Sequence, residues 1–157
     1  NMTFLPAPPN HGIKFQRIDL EGMPTVDADC DLVVDVSRGT TLEQNGARVY
    51  TVEHVLAALV GMEIDNVLIQ LDGPEPPIMD GSSIQFIEVL EDAGLEEQNA
   101  LRRFFEVQES IQYKDSSREV EMVALPTDNY RVTVMVDYNS PVLGSQHASI
   151  TDIGQFA

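Results

Sequence analysis

Cysteine, tryptophan and basic residues are scarce in this chain. Of its 157 residues, one is cysteine and none is tryptophan, and 9 lysines and arginines face 26 aspartates and glutamates, for a net charge of −17. The single Cys30 excludes an internal disulfide and is typical of a reducing compartment, so we expect a cytoplasmic protein. Because so acidic a surface repels phosphate backbones, we expect no nucleic-acid partner.

Long apolar runs and targeting segments are also missing from the sequence. No stretch approaches the roughly 18 apolar residues of a membrane span. The segment from Asn1 to Phe4 lacks the basic and apolar regions of a signal peptide. No glycine-rich phosphate loop occurs, which argues against a kinase. With 43% hydrophobic residues, the chain is expected to fold into one or two globular domains.

The clearest element that is present is a predicted helix over residues 51–62. Its apolar residues recur with helical spacing and form one stripe: Val52, Val55, Leu56, Leu59 and Val60. We predict that Thr51 caps the first turn and that Gly61 ends the helix. At about 100° per residue, Glu53 lies on the flank of the stripe and His54 nearly opposite it, facing outward.

Glu53 and His54 admit two interpretations. In the first, His54 is a solvated surface residue and Glu53 simply favours the helix N-terminus. In the second, His54 is a metal ligand and Glu53 is a general base beside it. The helix alone leaves both interpretations open, and the first is the commoner situation.

The other predicted elements indicate an α+β fold. A second helix over Ile84–Ala93 should bury Phe86, Val89, Leu90 and Ala93 and end at Gly94. After a polar linker at 96–100, three strands are expected to form one antiparallel sheet with a bare apolar face, so self-association is expected. Strands are predicted at 2–6, 13–20, 31–36, 40–44, 47–50 (around an Asn45-Gly46 turn), 66–71, 105–111, 119–123 and 130–136.

Several other residues that could carry chemistry are expected to be structural. Asp80 is interpreted as part of an Asp-Gly-Ser turn before the second helix, and residues 39–41 as a plain loop. Met62 and Met79 should fill the core, and Cys30 should be a small buried residue. His11 is expected to be a solvated loop residue.

A set of short motifs occurs in an order and spacing that resemble one enzyme family. The motifs are Thr51–His54, Gly61, Ile64–Asn66, Asp72–Glu75 and Pro77–Ser82. They resemble the UDP-3-O-acyl-N-acetylglucosamine deacetylases, zinc enzymes of bacterial lipid A biosynthesis. Weaker similarity extends over 15–20, an early strand of the family, and over 102–104 and 136–141, the start of its second domain. Residues 141–147 resemble the branch fused to a 3-hydroxyacyl carrier-protein dehydratase.

The resemblance implies a fold and a reaction. The fold would have two α+β domains, each a sheet layered on helices (ribosomal S5 domain 2-like). Deacetylase domain I would cover 1–98, without its extreme N-terminus, and the truncated start of domain II would cover 99–157. The reaction would be attack of zinc-activated water on the N-linked acyl amide of a UDP-sugar lipid precursor, releasing a fatty acid and a 2-amino sugar. Glu53 matches the family's general base, and His54 matches its first zinc ligand.

The sequence departs from the family at the other zinc ligands. The family takes them from a His-x-x-x-Asp segment, whereas the residues four positions after His11, His54 and His147 are Phe15, Ala58 and Thr151. A catalytic zinc site needs three protein ligands. We therefore expect an N-terminal fragment that alone holds no zinc and is inactive, with His147 a weak substitute ligand. The alternative is a non-catalytic acidic α+β binding or interaction domain.

Overall fold

The structure is a computed structural model that describes residues 1–153. Its contacts divide the chain into two units, one covering residues 1–100 and the other beginning at Leu101. The assignment of these units to the two deacetylase domains stays a prediction. Among the described residues, neither helix is long and apolar enough to cross a membrane.

The first unit contains a four-stranded sheet, a three-stranded sheet and two helices. In chain order its elements are β1 (Met2–Pro6), β2 (Ile13–Arg17), β3 (Thr25–Asp27), β4 (Val33–Asp35), β5 (Thr41–Gln44), β6 (Ala47–Val49), α1 (Glu53–Gly61), β7 (Val67–Leu71) and α2 (Ile84–Ala93). The larger sheet has the order β1-β7-β2-β3, in which β7 runs antiparallel to β1 and parallel to β2. This combination confirms the predicted α+β class.

The smaller sheet, β4-β5-β6, leads directly into α1. The predicted turn joins β5 to β6, with φ values of 53° at Asn45 and 75° at Gly46. Both values lie in the left-handed region that a two-residue hairpin turn requires and that Asn-Gly tolerates best. The hairpin prediction is therefore confirmed, and it fixes where the chain enters α1.

One buried cluster joins the sheets to both helices. The larger sheet supplies Phe15, Val26, Val67, Ile69 and Leu71, the smaller sheet supplies Leu42, Ala47 and Val49, α1 and the residue before it supply Val52, Val55, Ala58 and Leu59, and α2 supplies Phe86, Ile87 and Leu90. The helices thus cover the sheet through their apolar sides, as a layered α+β domain requires.

The start and the buried side of α1 differ from the prediction. The helix begins at Glu53, and no side chain caps it; Thr51 instead adopts a left-handed φ of 53°. Val60 is 47% exposed, whereas Ala58 is fully buried. The buried arc is therefore centred about 60° from the predicted stripe. This rotation brings His54 closer to the covered side, and His54 is half-buried rather than fully outward.

The second helix has the predicted bounds, but part of its buried side was predicted wrongly. Gly94 ends it with a φ of 79°, and its N–H donates to the carbonyl of Leu90. Ile87 is buried, whereas Val89 is 56% exposed and Ala93 is also exposed. Phe86 and Leu90 are buried as predicted, and the centre of the buried face is rotated by about 60° from the predicted one.

The second unit consists of two separate hairpins within the described residues. Its strands are β8 (Ile111–Asp115), β9 (Val120–Ala124), β10 (Val132–Asp137) and β11 (Ser145–Ile150), which pair as β8-β9 and β10-β11. The prediction of one three-stranded sheet beginning at residue 105 is therefore wrong. β11 was missed because its polar sequence lacks apolar alternation, and backbone pairing with β10 is what forms it.

Candidate functional site

Glu53 and His54 occupy the first turn of α1. Both side chains are half-buried. Three residues, 50–52, separate the end of the hairpin β5-β6 from the helix, and Val52 anchors this junction because it is fully buried in the core. The two predicted site residues therefore lie on a rigid start of a helix, at the rim of the hydrophobic cluster.

The carboxylate of Glu53 is held by the segment that precedes β5. The N–H of Thr40 donates to Oε2 of Glu53 at 2.9 Å, and the carbonyl of Thr40 accepts from the N–H of Val52 at 3.3 Å. Gly39 lies so close that a Cβ atom there would be 3.1 Å from Oε1 of Glu53. Residues 39–40 are therefore part of the site rather than a plain connection.

The imidazole of His54 has no partner among the described residues. Its backbone carbonyl accepts from Oγ of Ser83 at 2.9 Å, but no hydrogen bond or ion pair involves its ring. No buried side-chain nitrogen or oxygen in residues 1–153 lacks a hydrogen-bond partner. The ring nitrogens of His54 must therefore reach solvent, which leaves them available to a ligand such as a metal ion.

The loop before α2 has the structural role that was predicted for it. Oδ1 of Asp80 accepts from the N–H of Ser82 at 3.0 Å and from its hydroxyl at 2.8 Å. These hydrogen bonds stabilise the charged carboxylate and lower the pKa of Asp80 below its usual value. Asp80 therefore closes a tight turn, and Ser83 links this turn to the backbone of His54.

Two structural expectations for the remaining residues are wrong. Cys30 is exposed, because it lies in a 3₁₀ turn between two aspartates, Asp29 and Asp31. Met79 is 45% exposed with a left-handed φ of 52°, whereas Met62 does pack against the core. His11 is half-buried in its loop, with Nδ1 2.9 Å from the carbonyl of Gly12.

In the part of the chain that the structure describes, His54 is the single candidate zinc ligand beside Glu53. In residues 1–153, the one group of three close metal-ligating side chains is Asp29, Cys30 and Asp31, all exposed. Oδ1 of Asp29 already accepts from the N–H of Asp31 at 2.9 Å, which explains this group as a local turn. His147 lies in the second unit, on β11, and its side chain is exposed. Zinc therefore fits His54 as one ligand of a larger set.

The chain that carries this carboxylate–imidazole pair is similar to known proteins over nearly its whole length. The sequence matches the profile of the family UDP-3-O-acyl N-acetylglycosamine deacetylase (LpxC) over residues 1–157. It is 46% identical over 155 residues to a bifunctional enzyme LpxC/FabZ of Bacteroides thetaiotaomicron, covering 99% of this chain and 34% of that protein.

Two further relatives show the same pattern of coverage. The chain is 49% identical over 152 residues to a bifunctional enzyme LpxC/FabZ of Chlorobaculum tepidum, covering 97% of the chain and 32% of that relative. It is 41% identical over 145 residues to a UDP-3-O-acyl-N-acetylglucosamine deacetylase of Myxococcus xanthus, covering 92% and 46%. The chain therefore spans between a third and a half of the length of these relatives.

Proposed function

Because the chain belongs to the UDP-3-O-acyl-N-acetylglucosamine deacetylase family, we propose that it contributes Glu53 and His54 to a zinc-dependent deacetylase site. The reaction is hydrolysis of the N-acyl amide of UDP-3-O-acyl-N-acetylglucosamine in lipid A biosynthesis. Since the name of the relatives specifies an N-acetyl group, the acid released is acetate and not the fatty acid that was predicted. The bifunctional relatives support the predicted similarity to the fused branch.

The observation that carries this proposal is the contrast between the two neighbouring side chains. Thr40 fixes Oε2 of Glu53 at 2.9 Å, whereas the ring of His54 has no partner within residues 1–153. If Glu53 were only a solvated residue at the start of a helix, its carboxylate would not need a hydrogen bond from a backbone N–H 13 residues earlier in the chain. A general base needs that fixed orientation, and a metal ligand needs free ring nitrogens.

In the proposed mechanism each of the two residues has one task. Zinc, when bound, supplies Lewis-acid chemistry that brings the pKa of a water ligand to about 7. A ring nitrogen of His54 would be one of its ligands. Glu53 accepts the proton of the attacking water through Oε1, the oxygen that Thr40 leaves free. The water oxygen bonds to the amide carbonyl carbon. When the C–N bond breaks, the leaving nitrogen takes up the proton held on Glu53, and acetate and the 2-amino sugar are released.

The remaining zinc ligands are proposed to come from residues outside this chain. One imidazole holds zinc weakly, because each ligand supplies a share of the binding free energy. The relatives are two to three times as long as the matched segment, which leaves room for a second histidine and an aspartate. We therefore expect the 157 residues alone to bind no zinc tightly and to be inactive.

The proposal is tested by replacing His54 in a chimera. In the chimera, this chain takes the place of the 155 matched residues of the Bacteroides thetaiotaomicron relative. His54→Ala should weaken zinc binding by more than about 100-fold, because even the loss of a residue that only supports a ligand costs 10–100-fold. Turnover should fall with zinc content, measured by metal analysis and by release of acetate.

His147→Ala is the matched control for this experiment. His147 is exposed on β11, so its replacement should leave zinc content and turnover within about twofold of the unsubstituted chimera. If His54→Ala retains both zinc and turnover, the assignment of His54 as a ligand is wrong. An unsubstituted chimera that has neither zinc nor turnover would instead favour the alternative, a non-catalytic acidic binding domain. Loss of zinc in the His147→Ala chimera would instead assign the ligand to His147.

Location and partners are proposed from composition. A single cysteine supports a reducing, cytoplasmic compartment. The net charge of −17 disfavours nucleic acid and also gives little attraction to a UDP-sugar. The cationic groups that bind the diphosphate are therefore proposed to lie, like the other zinc ligands, outside these residues.

We also expect the 157-residue chain to self-associate through its second unit. Val134 and Val136 alternate on one face of β10 and are 52% and 43% exposed, and exposed apolar faces of this kind favour association with a second copy. Val134→Lys should shift sedimentation velocity profiles towards monomer. Thr133→Lys, which adds the same charge on the opposite face, should have little effect. A wild-type chain that is monomeric at about 100 μM would refute the expectation.

A further inference from the structure

We propose that Gly39 and Thr40 are positioning residues for Glu53, and that the missing side chain at position 39 leaves the space in which the carboxylate faces the attacking water. The inference rests on the proposed function, in which Glu53 is the general base. It concerns a segment that the sequence indicated only as a loop. Its basis is the set of contacts between this segment and the start of α1.

Thr40 pairs with the start of α1 through both of its backbone groups. Its N–H donates to Oε2 of Glu53 at 2.9 Å, and its carbonyl accepts from the N–H of Val52 at 3.3 Å. Val52 is fully buried, so the second bond ties Thr40 to a fixed point of the core. The first bond then sets the orientation of the carboxylate, because a hydrogen bond to a charged acceptor is short and strong.

Only one oxygen of Glu53 is held in this way. Within residues 1–153, Oε1 has no hydrogen-bond partner. A carboxylate fixed at Oε2 presents Oε1 in a constant direction, which is what proton transfer at a distance of about 2.6–3.2 Å requires. Thr40 acts through its backbone, so the identity of its side chain matters less than its position in the chain.

Gly39 supplies the space that this arrangement needs. A Cβ atom at position 39 would be 3.1 Å from Oε1 of Glu53, 3.1 Å from Oγ1 of Thr51 and 3.5 Å from Cα of Thr51. The two contacts of 3.1 Å are tighter than ordinary van der Waals separations, whereas the contact with Cα of Thr51 is an ordinary one. Thr51 is already confined to a left-handed φ of 53°. The longer and more flexible side chain of Glu53 is therefore the group that would move, and Oε1 is the atom that would be displaced.

Gly39→Ala in the chimera tests the inference through the kinetic constants. We expect kcat to fall about 3- to 10-fold, because a misplacement of about 1 Å can cost 100-fold and a contact of 3.1 Å moves the carboxylate by only a fraction of that distance. KM and zinc content should stay within about twofold, since the change does not touch His54. Gly73→Ala is the matched control: nothing lies within 4 Å of a Cβ at that position, and kcat should be unchanged.

Amide hydrogen exchange in the 157-residue chain gives a second readout that needs neither zinc nor activity. If Thr40 donates to Glu53, its amide should exchange at least about 10-fold faster in Glu53→Ala than in the wild type. The amide of Leu59, inside α1, should exchange equally in both proteins and so reports that the fold is intact.

The outcomes separate this inference from the proposed function. An unchanged Thr40 exchange rate, or a Gly39→Ala chimera with full kcat, would overturn the positioning role while leaving Glu53 as the base. Full activity of a Glu53→Gln chimera would instead overturn the role of Glu53 itself, whatever the exchange rate of Thr40.

Discussion

Replacing Glu53 by Gln in the chimera is expected to lower kcat by about 10²- to 10⁴-fold, the usual contribution of a general base. Glutamine keeps the size of the side chain and can still accept from the N–H of Thr40, so the segment around position 40 should stay in place. It cannot take a proton from the attacking water. Zinc content should be unchanged, because His54 and not Glu53 is the proposed ligand. Acetate release and metal analysis measure the two quantities.

A matched control is Glu43→Gln. Glu43 is also a carboxylate close to the site in sequence, but it lies on β5 and pairs with Arg48 at 2.6 Å on the surface. Its replacement should leave kcat within about twofold, because exposed ion pairs contribute little. If Glu53→Gln and Glu43→Gln lowered kcat equally, the negative charge of the surface, and not one positioned base, would determine turnover.

Arg17→Leu is expected to reduce the free energy of unfolding of the 157-residue chain by about 1–3 kcal/mol, the cost of leaving an acceptor beside a buried side chain without its donor. Asp19 adds little to this cost, because its carboxylate is exposed and water can hydrate it. The guanidinium is 8% exposed and makes three short hydrogen bonds. Nε and Nη2 donate to the carboxylate of Asp19 at 2.8 and 2.7 Å, and Nη1 donates to the carbonyl of Arg48 at 2.7 Å. Leucine would leave both acceptors without their donors and would disconnect β2 from β6.

Urea unfolding measures this loss, and Arg48→Leu is the control. The side chain of Arg48 is 55% exposed, so losing its ion pair with Glu43 should cost clearly less stability than the loss of Arg17. Its carbonyl, which Arg17 binds, is kept in that variant. Equal costs for the two substitutions would contradict a special role of the buried arginine.

The same pair predicts part of the pH dependence of stability. Hydrogen bonds from Arg17 lower the pKa of Asp19 below its ordinary value. The folded state therefore binds this proton less readily than the unfolded state, and stability rises with pH across the interval between the two pKa values. The contribution is complete above about pH 4 to 5 and is lost as the pH falls through the folded-state pKa. In Arg17→Leu this part of the acid sensitivity should disappear.

Local chemistry explains which parts of the fold could be predicted from the sequence. The Asn45-Gly46 hairpin and the end of α2 at Gly94 each depend on residues that tolerate a left-handed backbone, and such residues are visible in the sequence. Strand β11 depends on pairing with β10, so its own sequence contains no pattern that predicts it. The exposure of Val60 and Val89 depends on which side of each helix finds a partner.

In the candidate site, too, the features set by local sequence could be predicted and those set by packing could not. Glu53 and His54 could be identified because a helical start with this pair resembles a known motif. The hydrogen bond from Thr40 could not, because it joins residues 13 positions apart and exists only once the hairpin has folded back onto α1. The half-buried state of His54 also follows from the rotation of the buried arc, which packing decides.

The left-handed backbone of Thr51 offers a way to raise the thermal stability of this protein, but the residue lies next to the candidate site. A β-branched residue with a φ of 53° costs about 1–3 kcal/mol, so glycine or asparagine at that position is an obvious stabilising exchange. Oγ1 of Thr51, however, borders the same small space as Gly39 and the carboxylate of Glu53. Removing Oγ1 would enlarge the space beside the carboxylate of Glu53 and allow it more orientations. A substitution that raises thermal stability at this residue would therefore lower turnover.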